Sequence, residues 1–499
     1  MHYLMGVDIG TYSSKGVLVK ETGEVVASKI VEHVMAMPKP GYYEHDPEKV
    51  WWHDFLEICH ALLENSKIDT RQVIGLGIST ISPAVVPVDS EGQALRPAIL
   101  YGIDTRATRE IAELEKLFGV KLTSQSAAPK VLWIRRNEPE VWQKTHLIIN
   151  GSGYLNLKLT GQATIDFYDA TAFAPLFNLN KLNWSNEIAP HVCPLNKLPR
   201  LTWSCEIAGR ITSEASRVTG LLAGTPVITG TADAAAESVS AGLEETGDMM
   251  LMYGSSTFFI LRTKTLCPSD KFWSAPFLEK NIFVVAGGTA TAGSLTTWFR
   301  DQFGIQEMEA ERLGRGNAYA LLAKLAESAA PGSRGLIVLP YFAGERTPIH
   351  DPMAKGVLFG LTLGHTRADV YRAILESVGF AIRHNLDTMK KEGIVATRIF
   401  AVGGGTKNTF WLQLVSDIAN IHQYVPEQQI GASYGDAFMA GVGVGLFSST
   451  TEASRWIKIK QVFSPELAAH SLYNQYYRMY LSLYENTKDL MRQIGQCLE

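Results

Sequence analysis

The sequence predicts an α/β protein made of two related domains with a central cleft between them. Three observations predict it. Short β-rich runs alternate with longer helical stretches. Two segments open alike, each a buried strand, a glycine turn rich in hydroxyls and a second strand: one starts at Tyr3, the other at Met249. The length, 499 residues, suits two large domains better than one.

The elements follow in order. Tyr3-Leu4-Met5-Gly6-Val7 reads as a buried strand ending in Asp8-Ile9-Gly10-Thr11. Gly16-Val17-Leu18-Val19, the turn Glu21-Thr22-Gly23-Glu24 and Val25-Val26-Ala27 make a meander. Residues 73–79 and 84–88 read as further strands. Ile99 leads into Asp104-Thr105-Arg106, where Thr105 is placed to cap the next helix. A second unit begins near Gly247, with strands at 249–253 and 258–261. The predicted domains are 1–246 and 247–499, with no Pro/Ser-rich linker between them.

Composition excludes several classes. Net charge is −4 with the signs interspersed, and no Lys/Arg run forms a basic stripe, so nucleic acid is not an expected partner. The five cysteines are scattered and form no CxxC, which fits reduced thiols in the cytoplasm rather than a disulfide framework or zinc site. No basic-then-apolar leader opens the chain and no long apolar run crosses it, so neither secretion nor a membrane is expected.

Four segments carry chemistry. Asp8-Ile9-Gly10-Thr11-Tyr12-Ser13-Ser14-Lys15 puts an acid at the end of a buried strand, where it can hold Mg²⁺ directly or through water. Gly10 lets backbone approach phosphate, and Thr11 and Ser13 add hydroxyls; an ordinary β-turn uses the same residue types. Gly254-Ser255-Ser256-Thr257 repeats the arrangement, and the two loops together could clamp a polyphosphate. In Thr229-Gly230-Thr231-Ala232-Asp233-Ala234-Ala235-Ala236-Glu237, Asp233 stands in a helix's first turn. It is either a cap favoured by the dipole or a general base for an attacking hydroxyl. Val402-Gly403-Gly404-Gly405-Thr406-Lys407-Asn408 leaves room for a flat ligand; its spacing is not a dinucleotide fingerprint, and no GxxxxGK[ST] occurs. Gly441-Val442-Gly443-Val444-Gly445 follows a helical stretch and reads as helix packing.

Together these segments resemble the FGGY carbohydrate kinases over essentially the whole chain. The ordered series also includes Glu44-His45-Asp46-Pro47, Leu95-Arg96-Pro97-Ala98-Ile99, Asp104-Thr105-Arg106, Gly287-Gly288 and, most specific, the run from Tyr341-Phe342-Ala343-Gly344-Glu345-Arg346-Thr347-Pro348 to Leu361. The resemblance implies two ribonuclease-H/actin-like ATPase domains, the first for sugar and the second for nucleotide. It implies transfer of the γ-phosphate of ATP to a sugar hydroxyl, with ATP and Mg²⁺ as cofactors. It places Asp8 at the Mg²⁺–phosphate site with Thr11 and Ser13 beside it. Gly254, Ser255 and Ser256 match a second phosphate loop, and Gly404, Gly405 and Asn408 an adenosine pocket. Asp233 matches the catalytic base. Asp104, Ser79 and Thr80 are expected at the sugar, while Arg106, Glu345 and Arg346 are expected to order their loops.

The match leans toward xylulokinases, with one departure. Those kinases usually carry Gln-Met-His-Gly after a Gly-Ile-Ser strand, whereas Gly77-Ile78-Ser79 here runs into Thr80-Ile81-Ser82-Pro83. Losing an amide and an imidazole should change substrate choice. D-xylulose is the first expected acceptor; ribulose, erythrulose, glycerol and gluconate are the alternatives. A sugar sensor without turnover and a protein-directed ATPase are the rival classes, separable by sugar-dependent ADP release. A homodimer is one open arrangement.

Overall fold

The computed structural model describes residues 2–496; Cys497 lies outside them. The chain divides into two compact units. Unit 1 holds Met1–Glu244, Ala275–Phe283 and Ile430–Trp456, and unit 2 holds Glu245–Ser274, Val284–Gln429 and Ile457–Glu499. The sequence reading put 247–499 in one domain; two later segments of that stretch cluster instead with the first unit.

Unit 1 is built on a seven-stranded sheet. Its path runs Ile207–Arg210, Pro226–Ile228, Val73–Thr80, Tyr3–Ile9, Ser13–Lys20, Val25–Glu32, and Thr231–Ala232 also pairs with Val73–Thr80. Every residue of Tyr3–Ile9 is buried, as a strand covered on both faces requires. The expected meander is present: Tyr3–Ile9 pairs antiparallel with Ser13–Lys20, and that strand with Val25–Glu32.

Glycines decide how helices cover this sheet. Gly16 admits Ile58 of the helix His53–Ser66, whose Cγ2 would lie 2.1 Å from a Cβ there. Gly6 and Gly77 face each other in register, and alternation along the strands points them to the opposite side from Gly16. There the helix Ala432–Gly443 lies against bare backbone: a Cβ on Gly6 would stand 1.9 Å from the Ser433 carbonyl oxygen. Gly441 and Gly443 are packing residues of the same helix, as expected, with Cβ positions 2.7 Å from Phe447 and 2.3 Å from Ile228.

Unit 2 repeats the plan. Asp248–Tyr253 pairs antiparallel with Thr257–Thr263 and parallel with Arg398–Val402, as Tyr3–Ile9 pairs with Ser13–Lys20 and Val73–Thr80. Its sheet also has seven strands, and its core gathers around Tyr253, Phe259, Phe299, Tyr371 and Trp411. The long helix Arg367–Lys391 starts on a capping box of Thr366 and Asp369.

One local expectation is corrected. The helix after Arg106 is Thr108–Phe118, and Thr105 lies too early to cap it; the Thr105 carbonyl accepts the Thr108 hydroxyl instead, at 2.7 Å. Cys59, Cys193, Cys205 and Cys267 are free thiols. No helix among the described residues is long and apolar enough to cross a membrane.

Candidate active site

Parallel pairing in unit 1 brings its polar residues to one level. Asp8 stands beside Ser79, and Ser79 beside Thr231, which precedes Asp233 by two residues. This is the carboxyl end of the parallel strands, where α/β sheets bind ligands. Gly230 makes the turn possible. Its φ is +75°, and a Cβ there would lie 1.9 Å from the Ile78 carbonyl oxygen. Asp233 then opens the helix Asp233–Ser240. Its Oδ1 accepts the Ala234 amide at 2.7 Å, and the side chain stays half-buried, so the carboxyl holds an amide of the first turn and keeps an accessible face, while the N-cap position itself is Ala232.

Asp8 and Gly6 lie on the same face of their strand, as do Ser79 and Gly77, so both polar side chains meet the helix that the glycines admit. Ser79 Oγ is 3.2 Å from Asp8 Oδ1 and 2.7 Å from Asp436 Oδ2 on that helix. Gly435 of the same helix lies against the Asp233–Ser240 helix: its amide donates to Ser240 Oγ at 2.8 Å, and a Cβ there would be 2.0 Å from the Ala236 carbonyl oxygen.

The result is an excess of acid. Burial, above all, raises the carboxyls of Asp8, Asp233 and Asp436 above their ordinary range, and mutual repulsion adds to it. Glu237 is pushed up to about 7 by burial first, opposed by Lys15. Lys15 also opposes the shifts at Asp8 and Asp233. One ammonium beside four carboxyls leaves the cluster short of positive charge.

The residues fit a magnesium ion in a restricted sense. Among the described residues no three His, Cys, Asp or Glu stand together as a metal cage. Asp8 is buried, and among the described residues its side chain accepts a hydrogen bond from Ser79, so it can serve an ion whose other ligands are phosphate and water. The loop after it is fixed from outside: Gly10 N donates to Ser13 O at 3.1 Å, and His33 bridges the Gly10 carbonyl (3.1 Å) and Asp54 (2.7 Å). Thr11 and Ser13 stay half-buried, with Thr11 Oγ1 3.1 Å from the Tyr101 hydroxyl.

The three residues expected at the sugar are buried. Asp104 is fully buried, and its carboxylate accepts the amides of Tyr43 and Arg106 and both Nε and Nη2 of Arg106. Arg106 reaches on to Glu44 Oε1 at 2.8 Å and lies over the Tyr42 ring, ordering the loop as expected. Ser79 is committed to two carboxyls. Thr80 is buried, with no hydrogen-bond partner for its hydroxyl. The polar group left with some exposure in this segment is Ser82, which donates to Asp169 Oδ1 at 2.5 Å, while Asn150 Nδ2 donates to Oδ2 at 2.6 Å. Asp169 is among the charges that raise Asp233.

Unit 2 holds a cavity of about 880 Å³. Gly254, Ser255, Gly404, Gly405 and Asn408 all line it, so the structure brings those five predicted residues together. Ser256 does not line it; its carbonyl closes the turn on Gly254 N at 2.9 Å. The Ser255 carbonyl accepts the amides of Ala292 (2.8 Å) and Ser294 (2.9 Å), fixing the loop. Asn408 Oδ1 caps the helix Thr409–Ala419 by accepting Trp411 N at 3.0 Å. Behind this wall Glu345 accepts the amides of Ala290 and Arg346, both at 2.7 Å, and Arg346 Nη2 donates to the Thr257 carbonyl at 3.0 Å. The acid and base order these loops, as expected.

Sequence reasoning missed Asp436, Asp169 and the lining residues Asn317, Tyr319 and Lys324, and named Glu237 only as the end of the third segment, without a role. Asp436 had a signal: it is the lone charge in an otherwise small and apolar helix.

Comparison with known proteins agrees with this geometry. Residues 3–240 match the model of the FGGY family of carbohydrate kinases, N-terminal domain, and 249–444 match that of the C-terminal domain. A xylulose kinase of Lactococcus lactis is 30% identical over 509 residues, covering 99% of each chain. A glycerol kinase of Saccharolobus islandicus is 29% identical over 93% of each chain. The crystal structure of a xylulose kinase from Rhodospirillum rubrum superposes with a TM-score of 0.90 at 28% identity, covering 98% of this chain and all of that one.

Proposed function

Because the chain belongs to the FGGY family of carbohydrate kinases, phosphotransferases with an alcohol acceptor, we propose that it phosphorylates a ketopentose, D-xylulose first among them, at the expense of ATP. The relatives named xylulose kinase support the choice of sugar. The single observation that carries the chemical reading is Asp233, an acid with an accessible face set among other carboxyls at the end of parallel strands.

In this reading Asp233 accepts the proton of the attacking hydroxyl. An oxygen–phosphorus bond forms to the sugar, the bond from the γ-phosphorus to the β-phosphate oxygen breaks, and ADP leaves. A raised carboxyl suits the task, since a base with an ordinary carboxylate pKa would hold an alcohol proton weakly. Gly404, Gly405 and Asn408 take the adenosine; Gly254 and Ser255, with the Ser256 turn behind them, take phosphate. Thr11 and Ser13 offer hydroxyls to the terminal phosphate, and Asp8 holds magnesium. When bound, that ion neutralises phosphate charge and relieves the acidic cluster. The four free thiols among the described residues suit a reducing compartment, and we assign the protein to the cytoplasm.

A second reading keeps the chemistry and changes the acceptor to another small sugar, polyol or aldonate. It is favoured by Ser82, whose hydroxyl is spent on Asp169 where xylulokinases usually present an amide and an imidazole nearby. An ADP-release assay over ketopentoses, pentitols, tetroses, glycerol and aldonates separates the two. D-xylulose should give the highest kcat/KM; a higher value with a non-ketopentose establishes the second reading, and no sugar-dependent ADP from any acceptor removes both.

A further inference from the structure

Ser79 Oγ lies between two carboxyls, 2.7 Å from Asp436 Oδ2 and 3.2 Å from Asp8 Oδ1. A serine hydroxyl has one proton to give. Asp436 is fully buried, no Lys, Arg or His is bonded to it, and its second oxygen, Oδ1, has no hydrogen-bond partner. Its helix, Ala432–Gly443, carries no other charged side chain. The helix lies at contact distance from the strands, since Gly6 and Gly77 admit its backbone.

The proton arrangements open to this chain of three groups divide by whether Asp436 is ionised. With Asp436 ionised, Ser79 would give its proton across the shorter contact, and Asp8 Oδ1 would face serine lone pairs unless Asp8 itself took a proton and lost the charge that a magnesium ion would need. A buried carboxylate would also keep one oxygen, Oδ1, without a hydrogen-bond partner, which burial penalises. With Asp436 neutral, its O–H donates to Ser79 Oγ and the serine proton goes to Asp8. Both contacts are then satisfied, and the bare Oδ1 carries no full charge.

We propose that Asp436 is a positioning residue for phosphotransfer: a neutral carboxylic acid that donates to Ser79, so that Ser79 donates to Asp8 and fixes the orientation of its carboxylate. This rests on the reading that Asp8 serves the magnesium–phosphate end of the reaction. Burial first, then the charge of Asp8, pushes the Asp436 carboxyl in the same direction, with the hydrogen bonds from Ser79 pulling the other way. The sequence pattern after Gly77 attracts attention as a place to read sugar; the geometry points Ser79 inward to this relay instead.

The test compares Ser79→Ala, Asp436→Ala, Asp436→Asn and the double variant S79A/D436A in the full chain. Two quantities are read: steady-state kinetics with the best acceptor, and the calorimetric affinity for ADP with magnesium and with EDTA. S79A and D436A should each lower kcat about ten-fold or more and shrink the magnesium-dependent gain in ADP affinity about five-fold, with the sugar KM within about two-fold of wild type. The double variant should be no worse than the weaker single, because both break one chain. D436N can still donate an N–H to Ser79 and should recover most of what D436A loses.

The proposal is overturned if D436N is as impaired as D436A, if the two alanine effects multiply, or if the loss falls on the sugar KM. Should D436A not fold, S79A and D436N carry the same comparison. Wild-type protein that binds MgADP but releases no sugar-dependent ADP would instead remove the kinase reading, while the calorimetric arm still decides the relay.

Discussion

Gly77 lies against the Asp436 carbonyl oxygen so closely that a Cβ built on it would stand 2.1 Å away. The obstacle is backbone, which cannot rotate aside. Gly77→Ala should therefore force the helix Ala432–Gly443 off the sheet and cost at least about 2 kcal/mol. Gly75→Ala is the control: its nearest neighbour is a Val444 methyl at 3.0 Å, which can yield, so its loss should be smaller. Urea unfolding followed by fluorescence checks the order, and equal losses would contradict it.

Arg106 and Asp104 form a buried ion pair, so removing one partner leaves an uncompensated charge. Arg106→Ala should cost about 3–5 kcal/mol, and more than an exposed pair such as Arg71–Asp69 would. Asp104→Asn should likewise lower stability while leaving the ratio of kcat/KM between two sugars unchanged within about two-fold. A changed ratio with unaltered stability would restore Asp104 as a sugar reader.

Glu345 links stability to pH. Its carboxyl is raised from 4.5 to about 7, first by burial, with the Arg346 and Ala290 amides pulling the other way. Between those two values the folded protein holds a proton that the unfolded chain has lost. Stability from this group is thus full below about pH 4.5 and falls as pH rises through about 7. Glu345→Gln keeps an oxygen for both amides and removes the charge. It should gain about 1–3 kcal/mol at pH 8 and nothing near pH 4.5, measured by denaturant unfolding at the two pH values. A gain of equal size at both would contradict the burial argument.

Gly404 faces open space, with no atom within 4 Å of a Cβ placed on it, whereas a Cβ on Gly405 would be 2.7 Å from the Tyr253 Cβ. Gly404→Leu should fill the unit 2 cavity. It should raise the KM for ATP about ten-fold or more, with sugar KM and thermal midpoint nearly unchanged. Gly405→Leu should lower the midpoint as well. ATP kinetics left intact by Gly404→Leu would move the nucleotide out of this cavity.

What could be read from the chain follows from sequence distance. The strands Tyr3–Ile9 and Asp248–Tyr253, the turns after them and the glycine loop at 403–405 announce themselves locally, because alternation, glycine and hydroxyls are properties of neighbouring residues. Asp436 sits 357 positions from the serine it touches, and no local pattern tells where a helix will land. The same helix shows why contact between segments distant in sequence groups it with unit 1: its small residues match glycines on the unit 1 strands. The burial of Asp104 was hidden for a related reason. A loop acid beside a loop arginine looks available until the fold buries both.

The most direct measurement is sugar-dependent ADP release by wild type and Asp233→Asn, with MgADP affinity measured on both. Asp233 as the acceptor of the hydroxyl proton predicts turnover lower by about 10³-fold or more in the variant, MgADP affinity within about three-fold, and wild-type kcat that rises with pH as this carboxyl ionises. Turnover by Asp233→Asn near the wild-type rate with the same sugar would contradict the assignment.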